Sequence, residues 1–117
     1  MVIVSAKDGK ILDTLPLAGS SDGAAFNPKT MEAFSSQGDG TLTIIKEKST
    51  KDFEVEQNLA TMRGAKTLTL DSKTGHVLLI AAQTAPPPAD APPPAPGGRG
   101  GRGSMVPGSF SILVVGK

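Results

Sequence analysis

A nine-residue segment recurs within the chain and sets the strongest limit on its fold. Phe26-Asn27-Pro28-Lys29-Thr30-Met31-Glu32-Ala33-Phe34 aligns without gaps on Leu70-Asp71-Ser72-Lys73-Thr74-Gly75-His76-Val77-Leu78, an offset of 44 residues (Phe26 to Leu70). Each copy ends one apolar stretch, makes an Asx-type turn, passes through Lys-Thr and starts another apolar stretch. The offset is close to the ~40–45 residues of a four-stranded propeller blade, whereas a sandwich has no need of the same turn chemistry twice at that spacing.

The stretches between turns have the two-residue period of strands. In Phe53-Glu54-Val55-Glu56-Gln57-Asn58-Leu59, the residues Phe53, Val55 and Leu59 share one face and Glu54, Glu56 and Asn58 the other. Thr67–Leu70 alternates likewise, and Leu42–Ile45 is rich in β-branched residues that suit a pleated surface. Val77–Ala82 and Ile112–Val115 are continuous apolar runs, as expected of strands covered on both faces. No segment has helical periodicity. Asp8-Gly9 and Gly38-Asp39-Gly40 supply the positive φ angles of tight hairpins. Nine strands follow, at 2–6, 10–17, 22–27, 32–36, 41–46, 53–59, 65–70, 76–83 and 109–115. The expected class is all-β, in antiparallel four-stranded blades.

Composition narrows the chemistry. Twelve basic residues against eleven acidic ones give a formal charge of +1, spread along 117 residues. A nucleic-acid or acidic-membrane partner needs a concentrated basic footprint, so neither is expected. Without cysteine the chain has no disulfide, zinc–thiolate or thiol chemistry. Four Phe with no Tyr or Trp leave the core to Val, Ile, Leu and Ala. The opening Met1-Val2-Ile3-Val4-Ser5-Ala6-Lys7-Asp8 has no basic n-region and too short an apolar run for a signal peptide.

Residues 84–108 differ in kind. Ala85–Pro96 carries prolines that cannot donate to a ladder and favour polyproline II, and Gly97–Gly103 reads as flexible coil. A disordered, solvent-exposed insertion between strands 76–83 and 109–115 is expected, tolerated because closure entropy grows only logarithmically with length.

The candidate chemical groups are few. His76, the single histidine, begins a strand after Thr74-Gly75 with no second histidine nearby, and reads as a turn residue rather than a catalytic base or metal ligand. Asp8, Asp22, Asp39 and Asp71 match no EF-hand or calcium-repeat pattern, and Asx hydrogen bonding at turns accounts for them. Arg99 and Arg102, in Gly-Arg-Gly-Gly-Arg-Gly, resemble RNA-binding tails, but two arginines without interleaved aromatics read as linker. The triple prolines read as a solvated spacer rather than a docking motif. No metal and no cofactor are expected.

Residues 22–45 (Asp22-Gly23-Ala24-Ala25-Phe26-Asn27-Pro28, then Ala33–Ile44) resemble the penultimate blade of bacterial YVTN-family (YncE-like) β-propeller proteins. Arg63–Asp71, the Pro-rich insertion and Met105–Val115 are similar to their last blade and C-terminus. The resemblance implies a partial propeller of a ring with about seven blades. Residues 1–20 would be the outer strands of an incomplete blade, 21–60 a complete blade, and 61–117 a last blade lacking its outer strand. That strand comes from the N-terminus in family members. Such proteins are commonly exported, mostly without an assigned reaction. Asp22 and Arg63 precede the innermost strands and would face the central channel. Open edges and bare blade faces then imply self-association, or docking on the remaining blades of a parent propeller. A non-enzymatic binding or scaffold module is the expected function. The alternative is part of a lactonase- or dehydrogenase-like propeller enzyme whose site lies mostly outside this chain.

Overall fold

A computed structural model describes residues 1–90, 92–93, 96 and 103–116. The described residues form nine antiparallel strands and no helix. β1 (Val2–Val4) and β2 (Ile11–Thr14) make a two-stranded sheet. β3 (Ser21–Asn27), β4 (Glu32–Gln37), β5 (Thr41–Ser49) and β6 (Asp52–Ala60) make a four-stranded meander. β7 (Thr67–Leu70), β8 (Val77–Ala81) and β9 (Ser111–Val115) make a three-stranded one.

The strands lie where alternation places them, with differences at their ends that have physical causes. Phe53, Val55 and Leu59, however, do not share a face. A bulge at Glu56 leaves Val55 opposite Ile45 on one side of the sheet and turns Leu59 to the other, opposite Leu42. The β5–β6 hairpin is longer than expected. Apolar alternation stops at Lys46, but Lys46 pairs with Glu54 and Glu47 with Phe53, and Lys48 Nζ lies 2.7 Å from Glu54 Oε2. Charged residues on a solvated ladder carry no period-two signal. β7 starts at Thr67 rather than at residue 65, because Ala65 N–H bonds to Met62 O and Lys66 N–H to Gly64 O in a turn.

Register assigns the faces. On one face of the second sheet, Ala25 lies opposite Phe34, Phe34 opposite Ile44, Ser36 opposite Leu42, and Leu42 opposite Leu59. This face, called the front, packs on the rear of the third sheet, where Val77, Leu79 and Ala81 are buried and Leu113 and Val115 complete the layer. β3 and β7 are neighbours, and Ser36 Oγ–H on β4 donates to Lys66 O just before β7. Fully burying a side chain such as Leu42 or Leu79 is worth about 1.5–3 kcal/mol, so this layer joins the two sheets.

The rear of the second sheet is mixed. Ile3 of β1 shares a hollow of about 160 Å³ with Phe26, Ala33, Ile45 and Phe53, so the first sheet reaches the apolar half, where Phe26 stays exposed. The other half is a buried polar ladder. Gln37 Nε2–H donates to Ser35 Oγ (3.1 Å), Thr43 Oγ1–H to Asn58 Oδ1 (2.8 Å), and Ser35 Oγ lies 2.8 Å from Ser21 Oγ. Because its members satisfy one another, their burial is tolerated.

The internal repeat is also a repeat of backbone geometry. Lys29 N–H donates to Asn27 Oδ1 (3.0 Å) and Lys73 N–H to Asp71 Oδ1 (2.9 Å). Met31 (φ 54°) and Gly75 (φ 76°) then take the left-handed conformation, as do Ser20 (φ 61°) and Gly64 (φ 84°) before β3 and β7. Each pair is separated by the same offset as the sequence repeat.

The ends of the Pro/Gly-rich segment are paired rather than loose. Thr84 and Met105 form a β-bridge, flanked by Ala85 N–H to Ser104 O and Val106 N–H to Gln83 O, both 2.9 Å. Arg99 and Arg102 lie outside the described residues.

Candidate functional surfaces

Two depressions lie at opposite ends of the junction between the second and third sheets. At the end where β3 and β7 begin, the loop 61–66 crosses the Gly38–Gly40 turn, with Thr61 N–H to Gly40 O at 2.7 Å and Gly64 N–H to Gly38 O at 3.1 Å. Arg63, Lys66, Ser20, Gln83 and Pro86 line a wide, open hollow there. Asp22 is not a turn residue, contrary to its sequence assignment. It sits inside β3, where Lys66 Nζ lies 3.6 Å from Oδ1 and Thr67 Oγ1–H donates to Oδ2 at 3.4 Å. Asp22 is therefore tied to Lys66, while Arg63 stands on the rim. Both partners are about half exposed, so the ion pair contributes little to stability. No local signal marks Lys66, although it is the repeat counterpart of Asp22 and so is bound to lie beside it once β3 and β7 are neighbours.

At the other end, the β3–β4 and β7–β8 turns meet. Lys29 Nζ–H donates across them to Ser72 O at 3.0 Å. Between them opens a cleft of about 300 Å³, lined by Asn27, Thr30, Glu32, Glu56, Thr74 and His76 among others. His76 is half-buried. Its N–H donates to Thr74 Oγ1 (3.3 Å), its carbonyl accepts Asp71 N–H (2.9 Å), and its ring lies against Gly116. It is a cleft-lining residue, a role that appears only when turns far apart in the chain are stacked.

The other aspartates act within turns. Asp8 Oδ1 accepts Lys10 N–H (3.2 Å), and Asp39 Oδ1 accepts Thr41 N–H (3.0 Å) and Oγ1–H (2.6 Å). The Asp71 carboxyl is held below its ordinary value of 3.8, first by the Thr74 hydroxyl (2.7 Å) and then by the Lys73 N–H. A depressed carboxyl favours the folded turn above the unfolded value, and that contribution is lost as pH falls through the folded value. The Asp71 turn is thus expected to stay closed from neutral pH down to about 4 and to open only below that. In proton-detected titrations, the Lys73 and Thr74 amide shifts of the wild type should move below the ordinary carboxylate range. In Asp71→Asn that acid limb should vanish. Among the described residues no three His, Cys, Asp or Glu side chains gather into a group able to hold a metal. No helix among them is long and apolar enough to cross a membrane.

The remaining features are surfaces. β6, one edge of the second sheet, carries Asp52, Glu54 and Glu56, and its ladder with β5 is broken by two register shifts. Charge and bulges are the usual protection of an edge. β9, Ser-Ile-Leu-Val-Val, has neither charge nor proline, and its ladder with β8 is regular. Its outer edge is unpaired among the described residues. The outer face of the same sheet leaves Ile112 and Val114 about 60% exposed, at 61% and 60%.

No family model matches the chain, and no curated protein or solved structure shows significant similarity to it.

Proposed function

We propose that the chain is two adjacent blades, with the outer strands of a third, from a β-propeller of the YVTN type, and that it works as a binding scaffold rather than a catalyst. The observation that carries this is the stacking of the second and third sheets through one apolar layer with β3 beside β7, supported by left-handed positions and Asx turns that recur at the repeat offset. Blades of a propeller stack in this manner with their first strands adjacent.

The same correspondence makes β9 the counterpart of β5. β5 is completed by β6, whereas β9 ends its sheet among the described residues. β9 is therefore the binding edge, accepting an extended strand through main-chain hydrogen bonds in the mode of strand addition. A peptide with the β6 sequence, Asp52–Ala60, is expected to shift the ¹⁵N–¹H resonances of Ser111–Val115 in the labelled chain. The same peptide N-methylated at alternate residues should not. Shifts absent from β9 at millimolar peptide, or equal for both peptides, would overturn the proposal.

A further inference from the structure

We propose that the outer face of the third sheet docks a second copy of this chain, which meets it with the outer face of its own β1–β2 sheet. The inference goes beyond the binding edge. It concerns a face rather than an edge, and it does not require a closed propeller.

The three sheets are covered in one sense. The first sheet places Ile3 on the rear of the second, and the front of the second meets the rear of the third. The repeat offset carries the front residues Phe34 and Ser36 of the second sheet onto Leu78 and Ile80 of the third. The outer face of the third sheet is thus the counterpart of a face that is covered in the same molecule. Its register rows are Thr67–Ile80–Ile112 and Thr69–Leu78–Val114, with no charged side chain among them. Phe110 and Met105 extend the apolar area at its margin, both strongly exposed. Contiguous uncharged apolar surface of this kind marks an interaction site.

What covers a front in this molecule is a rear, and one rear is left open among the described residues. Ile3 turns inward, so its neighbours Val2 and Val4 turn outward with their cross-strand partners Thr14 and Ile11. Val2, Val4 and Ile11 are all more than half exposed and carry no charge. Among the described residues the stack therefore ends in a front at one side and a rear at the other. The two are alike in chemistry, and each is of the type that covers the other. The contact is heterologous, so copies joined this way add head to tail.

Two charge-insertion variants separate this arrangement from the rest. Ile112→Glu blocks the front and Val4→Glu the rear, both at exposed positions whose folding is checked by circular dichroism. Wild-type chain is expected to show concentration-dependent oligomers by sedimentation velocity. Each variant alone should associate at least about tenfold more weakly, because a carboxylate would have to be buried without a partner. Mixed in equal amounts, the variants retain one intact front and one intact rear, and should form a heterodimer and nothing larger. The chain has no cysteine, so Ile112→Cys and Val4→Cys give a second readout. A short bismaleimide should link the mixture into dimers and leave each variant unlinked. A wild-type chain monomeric at several hundred micromolar overturns the proposal. So does a Val4→Glu chain that still dimerises, which would mean front-to-front pairing, or a mixture that does not recombine. Failure of the β6 peptide to bind β9 would leave these outcomes unaffected.

Discussion

Leu42→Ala is expected to lower the stability of the chain by about 3 kcal/mol, within the ~2–5 kcal/mol found for such truncations in cores. Leu42 is fully buried on the front of β5, between Ser36 and Leu59 across the ladder and within the layer joining the second and third sheets. The backbone around it is hydrogen-bonded on both sides, so the sheet cannot close over the missing methyl groups and a cavity remains. Against a total of roughly 5–15 kcal/mol for a natural domain, such a loss is a large fraction. Urea titration should show a lower midpoint with an unchanged slope. Val55→Ala, at a half-buried site on the rear, should cost less than half as much. Equal effects at the two sites would mean that the joining layer is not the main core.

Gly40→Ala should be comparably damaging, at about 2–5 kcal/mol. Gly40 has φ +95°, and an added Cβ would lie 2.9 Å from Arg63 N and 3.1 Å from both Arg63 Cα and Met62 C. These are backbone atoms and cannot swing aside. A left-handed L-residue costs about 1–2 kcal/mol, and overpacking adds about 1–3 kcal/mol. The displaced segment would be the loop 61–66, so the hydrogen bonds from Thr61 to Gly40 and from Gly64 to Gly38 should weaken together. Amide exchange should speed up at both Thr61 and Gly64 in the variant. Gly9→Ala is the control. Its φ is +73° but nothing lies within 4 Å of the added Cβ, so only the conformational cost of about 1–2 kcal/mol remains.

The all-β class and the strand positions were legible because apolar alternation and turn chemistry are local. Phe53 and Val55 declare a face, and Gly40 and Gly9 declare turns. Alternation wrongly adds Leu59 to that face, because the bulge at Glu56 that turns Leu59 to the opposite side leaves no period-two signal. Ser35, Ser36, Gln37 and Thr43 did not declare their burial. Polar residues in a strand normally point to water, and only the contacts that satisfy them allow them inside. The repeat was legible, but local sequence does not show which surfaces it brings together. Asp22 and Lys66 come together because β3 and β7 are neighbours, and the Asn27 and Asp71 turns frame the His76 cleft for the same reason. Such pairings depend on how one sheet is set against the next.

The bridge between Thr84 and Met105 has a use in protein engineering. It fastens the two ends of the intervening segment to the rim of the third sheet, so whatever is spliced between them starts and finishes at neighbouring points. Doubling the length of a flexible closed loop adds only about 0.6 kcal/mol. A reporter domain whose own termini lie close together can therefore be grafted at this clasp, and the strands beneath need not register its size.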